Sequence, residues 1–186
     1  MRDDRMTFDT YIQEQLFERR IVVAQGFLDD ECATRTAARL LTLEAMDGSP
    51  IRLHLSCPGG TFGAALSLAD TLRVLRAELT AVAVGEVSGA AVGALAAAPR
   101  RTAYPHARFQ LSEPKVAEIK ATASEVDTYA KEHLRQRDAL VELLSEATGR
   151  QGEAVLRDLR AGRFLTAQEA VGYGLVQEVV SGRPVT

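Results

Sequence analysis

Residues 51–72, IRLHLSCPGGTFGAALSLADTL, decide the fold class of this chain. The first five residues alternate apolar and polar side chains, which is the period of a β-strand. CPGG then breaks the strand, and from residue 62 to residue 77 apolar side chains recur at helical spacing. A strand, a glycine turn and a helix in this order are the building unit of an α/β fold.

The same alternation of strands and helices continues on both sides of this unit. Thr166 and Glu169 form a capping-box pattern, which predicts the start of a last short helix that ends at Gly174. The other predicted helices lie at 30–46 and 122–147, together with a small-residue helix that starts at Ser88. The predicted strands and extended segments are 19–25, 51–55, 79–85, 101–105, 107–114 and 175–180.

Composition argues against several classes of function. The 186 residues carry a net charge of −3, so nothing indicates a nucleic acid or an anionic membrane as partner. The longest apolar run, around 87–98, is far shorter than the ~20 residues of a membrane-spanning helix, and the N-terminus is too charged for a secretory signal. Cys32 and Cys57 lack the spacing of metal ligands or of a disulfide framework. We therefore expect a cytoplasmic protein without a metal or another cofactor.

Two glycine turns follow neighbouring predicted strands, SCPGGTFG at 56–63 and GEVSGAAVG at 85–93. The carboxyl ends of adjacent strands are the usual ligand site of α/β folds, and backbone N–H groups at glycine turns can stabilise an oxyanion. Pro-Gly-Gly is equally typical of a plain turn. Ser88 is the only hydroxyl of its turn, and the pattern leaves open whether it is a nucleophile or a helix N-cap. Gly89 directly after it departs from the G-x-S-x-G elbow of α/β-hydrolases.

Five segments occur in the order and near the spacings of a known family: RRIVV, ARLLTLEAMD, IRLHLSCPGGTFGAALSLADTL, VAVGEVSGAAVGALAAA and RFLTAQEAVGYGLVQEVV. Together they resemble the proteolytic subunit of the Clp protease (ClpP), a serine peptidase, from about Asp9 to Val180. The resemblance implies an α/β fold, a ClpP/crotonase-like superhelix of repeated β-β-α units. The implied single domain, 1–186, has an N-terminal segment (1–18), a head (19–111 and 160–181) and a protruding strand–helix handle (112–159).

The resemblance also assigns a serine peptidase site to particular positions. With one residue deleted before the serine, GEVSGAA matches the family's nucleophile segment G-x-x-A-S-M-G and places the nucleophile at Ser88. The family's two oxyanion donors are then the backbone N–H groups of Gly60 and Gly89. Ser112, in FQLSEP, stands where the family has its catalytic histidine, in a strand that ends M-x-H-Q-P. Gly162 stands where the family has its aspartate.

These replacements remove the proton chemistry of the site. A serine hydroxyl attacks a peptide carbonyl only when a base takes its proton, and histidine suits because its pKa lies near neutrality. The Ser112 hydroxyl can accept a hydrogen bond but cannot take up a proton at neutral pH, and Gly162 offers nothing to orient an imidazole. Loss of triad members costs on the order of 10⁴ to 10⁶ in kcat. The resemblance therefore implies a degenerate member, ClpR-like or of actinobacterial type, that is inactive or strongly impaired.

Two other functions stay open. An active serine peptidase would need a non-standard base, either a lysine in a Ser–Lys dyad or another histidine. A crotonase-type enzyme would use paired N–H donors to polarise an acyl-CoA thioester and would need no triad. The candidate bases of such a peptidase are His54, His106, His133, Lys115, Lys120 and Lys131.

Two further residues near these motifs have simpler interpretations. Glu113 is interpreted as a surface carboxylate, and Cys57 as a small core residue.

The resemblance finally implies partners. The family stacks two seven-membered rings, so we expect heptameric rings and a tetradecamer, formed with itself or with an active paralogue, and an AAA+ Clp ATPase as a further partner. The apolar stripe of the long helix suits ring stacking or core packing. The family's glycine-rich strand before that helix is replaced by PKVAEIKATASEV (114–126), which lacks glycine, so the contact between rings is expected to differ. The segment before Asp9 is short, and we expect reduced axial-pore loops.

Overall fold

Strands and helices alternate through residues 3–114 and 122–180, the parts of the chain that the computed structural model describes. The α/β class predicted from the sequence is confirmed. The helices are α1 (Asp3–Glu18), α2 (Asp30–Asp47), α3 (Phe62–Val74), α4 (Ala91–Ala97), α5 (Ala123–Thr148), α6 (Gly152–Ala161) and α7 (Ala167–Tyr173). The strands are β1 (Ile21–Gln25), β2 (Ile51–Cys57), β3 (Leu79–Ser88), β4 (Arg100–Ala103), β5 (Arg108–Leu111), β6 (Arg163–Thr166) and β7 (Glu178–Val179).

The sheet divides along β3. Strands β1, β2, β3, β4 and β7 lie side by side in this order and pair in parallel. The first half of β3 pairs with β4, whereas its last residues, 86–88, pair with β5. Strand β6 then pairs antiparallel with β5. Gly85, with φ +72°, stands between the two halves of β3. The division therefore directs the carboxyl end of β3 toward β5.

The hydrophobic core lies between this sheet and the helices that cover it. Strand β2 alternates buried and more exposed residues, and its Leu53 and Leu55 are fully buried, as the period of the sequence predicts. Helix α4 consists of small residues because it packs closely against α5. A Cβ atom at Gly93 would lie 2.4 Å from Leu140 Cδ1, so only glycine fits this contact without displacing the leucine.

The structure differs from the predicted elements mainly at short segments. Helices α1 and α6 and strand β6 were not predicted, and the last strand covers only Glu178–Val179 of the predicted 175–180. The prediction that Ser88 starts a helix, and could serve as its N-cap, is wrong: Ser88 is the last residue of β3, and α4 follows Ala90, which makes no side-chain cap. The reason is the pairing with β5, which extends β3 beyond the predicted end at residue 85.

The long helix α5 divides into two halves. Its second half packs on the core, where Leu140 and Leu144 are buried, whereas Val126, Tyr129 and Leu134 in its first half are about half exposed. The apolar stripe therefore serves core packing only in the second half. Most of the segment PKVAEIKATASEV lies outside the described residues, and the boundaries of the N-terminal segment, the head and the handle stay predictions.

The capping box of α7 is confirmed and gives a pH-dependent contribution to stability. Thr166 Oγ1 accepts a hydrogen bond from the Glu169 N–H, and Glu169 Oε2 accepts one from the Thr166 N–H at 2.8 Å. The hydrogen bond from the Thr166 backbone N–H, and after it the one that the Thr166 hydroxyl donates to Glu169 Oε2, lower the pKa of the Glu169 carboxyl below its ordinary value. A carboxyl with a lowered folded-state pKa stabilises the fold at neutral pH and loses that effect as the pH falls through the folded-state value.

Replacing Glu169 with glutamine is therefore expected to lower the free energy of unfolding at neutral pH. The difference from the unmodified chain should shrink as the pH falls from about 5 to about 3. Urea unfolding across this range measures the difference. Glu153, which is also in the first turn of a helix but forms no capping box, provides the control, since Glu153→Gln should show a weaker pH dependence. A pH-independent effect of Glu169→Gln would contradict the expectation.

Candidate active site

Three of the five predicted site residues line one cavity of about 690 Å³. The turn between β2 and α3 forms one wall, the residues after β5 form the opposite wall, and α5 covers the cavity. Gly60, Gly89 and Ser112, which the sequence places far apart, all line it. The other lining residues are Phe27, Pro58, Gly59, Thr61, Phe62, Gly63, Gln110, Glu113, Pro114, His133 and Gln136.

The turn at Gly60 is held by backbone hydrogen bonds to the neighbouring segment. Leu28 N–H donates to Gly59 O, and Thr61 N–H donates to Leu28 O, both at 3.0 Å. The approach is so close that a Cβ at Gly60 would lie 2.8 Å from Leu28 Cβ, which explains the second glycine of PGG. Within the described parts of the chain, the Gly60 N–H donates no recorded hydrogen bond. Its assignment as an oxyanion donor stays a prediction that this geometry allows.

Ser88 does not line the cavity. It is only 2% exposed, and its Oγ donates a hydrogen bond to Glu86 Oε1 at 2.9 Å. Glu86 Oε2 in turn lies 3.4 Å from a guanidinium nitrogen of Arg108 on β5. Both Ser88 and Glu86 lie on one face of β3 because side chains two positions apart point to the same side of a strand. Glu86 was not predicted because the predicted strand ended at residue 85. Continuing the two-residue period to residue 88 would have placed the side chains of Glu86 and Ser88 on the same face of the strand.

Gly89 lines the cavity next to Ser112. Its φ of +59° turns the chain from β3 toward α4, and an ideal Cβ at this position would lie 3.8 Å from Ser112 Oγ. Its N–H donates to Gln110 O at 3.0 Å, which continues the pairing of β3 with β5. The predicted role of Gly89 as an oxyanion donor is not tested, but in this structure its N–H already has an acceptor.

Gly162 lies close to the cavity and does not line it. It follows α6 as a left-handed C-cap, and its N–H donates to Leu159 O at 3.1 Å. An ideal Cβ at Gly162 would lie 3.6 Å from Gln110 Nε2. The side chain of Gln110, which the sequence analysis did not single out, is thus the cavity-lining group that an acid at position 162 would meet first.

Of the three candidate histidines, His133 lines the cavity. Its ring packs edge-on against Phe62, with 4.9 Å between the ring centroids. His54 packs edge-on against Tyr104, and burial lowers the pKa of its imidazole. His106 is exposed in the turn between β4 and β5. The structure thus brings one of the three imidazoles to the site.

Among the candidate lysines that the structure describes, Lys131 lies away from the cavity, whereas Glu113 lines it. Lys131 is exposed and pairs with Asp127 at 2.7 Å, away from the cavity lining, while Lys115 and Lys120 lie outside the described residues. Glu113 is about a third exposed and also lines the cavity. Its Oε1 is buried and lies 3.7 Å from Arg160 Nε, so the carboxylate is less exposed than a plain surface group.

Cys57 is confirmed as a core residue. It is fully buried, its Sγ donates to Ala24 O at 3.5 Å, and burial raises the pKa of its thiol to about 12. A thiol that stays protonated is a poor nucleophile. In residues 3–114 and 122–180, the structure contains no cluster of side chains suited to hold a metal ion, and no helix there has the length and apolar character to cross a bilayer.

Comparison with known proteins matches nearly the whole chain to one family. A model of the family described as "Clp protease" matches residues 4–183. The ATP-dependent Clp protease proteolytic subunit 1 of Thermobifida fusca is 35% identical over 172 residues, which cover 91% of this chain and 78% of that protein. Subunit 1 of Bifidobacterium longum is 34% identical, covering 95% and 76%, and subunit 2 of Corynebacterium jeikeium is 33% identical, covering 92% and 84%.

Proposed function

The chain belongs to the Clp protease family, and from this premise we propose that it is a non-catalytic subunit of a cytoplasmic Clp protease complex. It assembles into heptameric rings with itself or with an active paralogue, and the rings bind a Clp-type ATPase. In this proposal the chain keeps the fold and the cavity of a peptidase and supplies surfaces for assembly, while the cleavage of peptides takes place in other subunits.

The burial of Ser88 is the observation that carries the proposal. A nucleophile must reach the carbonyl carbon of a bound substrate, and a hydroxyl that is 2% exposed and directed at Glu86 does not reach the cavity. Glu86 does not substitute for a histidine base here, since its hydrogen bond with Ser88 lies outside the cavity lining. In the cavity lining, Ser112 offers a hydroxyl where the reaction needs an imidazole.

The exposed apolar side chains of α5 support the assembly part of the proposal. Val126, Tyr129 and Leu134 are between 46% and 53% exposed on the half of α5 that extends beyond the core. Apolar side chains grouped on one exposed segment are typical of surfaces that bind another protein. In the proposed rings, subunits of the same fold cover this segment.

A fluorophosphonate probe tests the catalytic part of the proposal. Such probes phosphonylate an activated serine, so we expect no labelling of the purified chain, measured by intact-protein mass spectrometry. The Ser88→Ala variant is the control, and a co-expressed active Clp subunit from the same host shows that the probe works. Labelling that disappears in Ser88→Ala would contradict the proposal. Native mass spectrometry of the co-expressed pair then tests for mixed rings.

The second candidate, a peptidase with a non-standard base, is favoured by one observation, the position of His133 in the cavity wall. It predicts labelling that His133→Ala abolishes and that His106→Ala, at the exposed turn, leaves intact. The crotonase-type alternative predicts saturable binding of acyl-CoA by the purified chain, for which the described residues give no separate support.

A further inference from the structure

We propose that Gly89, and not Ser88, occupies the nucleophile position of this site. This inference rests on the proposed function and identifies the residues behind it. In this assignment the chain lacks the attacking hydroxyl itself in addition to the base and the acid, because the three triad positions hold Gly89, Ser112 and Gly162.

The first argument is the direction in which side chains at positions 88 and 89 point. A Cβ at position 89 would stand 3.8 Å from Ser112 Oγ, in the cavity that both residues line. A hydroxyl is one bond further out than the Cβ, so a serine at position 89 would reach hydrogen-bond distance of a side chain at position 112. The Oγ of Ser88 is instead 2.9 Å from Glu86 Oε1 and is buried. Position 89 therefore has the geometry that a nucleophile needs toward its base.

The backbone amides carry the second step. The N–H of Gly89 is bound to Gln110 O, so in this structure it is not free to act as an oxyanion donor. In the described parts of the chain, no backbone hydrogen bond donated by the N–H of Gly60 is recorded, and Gly60 lines the cavity. The Gly60 amide is therefore the donor available to an oxyanion when the nucleophile stands at position 89. Ala90 is fully buried and does not line the cavity, so no such role is assigned to it.

The spacing of the sequence carries the third step. In the family segment G-x-x-A-S-M-G the serine follows the first glycine by four positions. Gly85 begins the corresponding segment here and adopts a φ of +72°, and four positions later stands Gly89. This match needs no deletion before the nucleophile and places Ser88 at the alanine position. Glycine also avoids the cost of about 1–2 kcal/mol that a serine would carry in the left-handed conformation of residue 89.

Disulfide trapping tests the assignment without any enzymatic readout. The chain has two cysteines, Cys32 and Cys57, and both are buried, so oxidation of the purified protein by diamide reports on introduced pairs. We expect Gly89→Cys/Ser112→Cys to form a disulfide and the matched control Ser88→Cys/Ser112→Cys to stay reduced, as measured by a mass change and by peptide mapping. A disulfide in the control pair, or none in the first pair of a protein whose circular dichroism is unchanged, overturns the inference.

A second measurement covers the case in which cysteine at the left-handed position 89 prevents folding. Ser88→Cys and Ser112→Cys change single atoms, and their thiols are titrated with a maleimide. We expect the thiol at 88 to react at least about tenfold more slowly than the thiol at 112. Equal rates overturn the inference. Fluorophosphonate labelling of Ser88 would overturn the proposed function, whereas a disulfide between 88 and 112 without such labelling overturns only the assignment of Gly89.

Discussion

Replacing Arg101 with methionine is expected to lower the free energy of unfolding by about 4 kcal/mol or more. The side chain is only 8% exposed, yet in the described residues it pairs with no carboxylate. Its guanidinium donates to the carbonyls of Leu175 and Ala98 at 2.8 Å and of Ala147 at 3.0 Å. These carbonyls include the C-terminal ends of α4 and α5, where the helix dipole favours a cation.

Methionine keeps much of the side-chain volume and removes all donors, so the three carbonyls lose their partners inside the protein. Each unsatisfied buried acceptor costs about 1–3 kcal/mol. The neighbouring Arg100 is the matched control. It is exposed and pairs with Glu178 at 3.1 Å, and Arg100→Met is expected to cost no more than about 1 kcal/mol. Urea unfolding followed by circular dichroism compares the two variants, and equal losses would contradict the role of Arg101.

Restoring the three triad residues is expected to create a serine that reacts with a fluorophosphonate. The triple variant Gly89→Ser/Ser112→His/Gly162→Asp places a hydroxyl beside an imidazole in the lining of the same cavity, as the 3.8 Å separation of a Cβ at position 89 from Ser112 Oγ allows. A positioned general base contributes about 10² to 10⁴ in rate. We therefore expect labelling about a hundredfold or more above that of the unmodified chain.

The double variant Ser112→His/Gly162→Asp is the matched control, because it supplies the base and the acid and keeps Ser88 as the hydroxyl. It is expected to stay unlabelled, since Ser88 remains buried on Glu86. Labelling of the double variant at Ser88, located by peptide mapping, would contradict the assignment of Gly89. Serine at 89 and aspartate at 162 both adopt a positive φ, so a loss of roughly 2–4 kcal/mol in stability is expected and is checked by urea unfolding.

The fold could be predicted wherever the periodic pattern was long. Strand β2, helix α2 and the capping box of α7 need only local information, because alternation, helical spacing and a Thr-x-x-Glu pair act within a few residues. Strand β6 was missed because it is short and is held by antiparallel pairing with β5, and the two residues of β7 are held mainly by pairing with β4.

Part of the predicted site comes together in the structure. The two glycine turns and Ser112 meet in one cavity, whereas Ser88 and Gly162 do not line it. Whether residue 88 or residue 89 faces Ser112 depends on how far β3 continues, which is decided by its pairing with β5, a strand some twenty positions further along the chain. That pairing is non-local, so local periodicity alone does not show where β3 ends. The contact of Glu113 with Arg160 on α6 likewise joins segments far apart in the sequence.

Helix α5 is held on the core near the close packing of Gly93 against Leu140, so a small tilt of the helix at this contact becomes a large displacement at its exposed end. Val126 lies fourteen residues before Leu140, about 21 Å along the helix axis at 1.5 Å per residue. A side chain at position 93 that tilted α5 by about 10° would displace the exposed tip by about 4 Å. That displacement exceeds the tolerance of a packed interface, in which atoms lose much of their attraction with a gap of about 1 Å. Glycine at residue 93 leaves room for the Leu140 side chain and so favours the packing in which α5 presents its apolar tip at its present position.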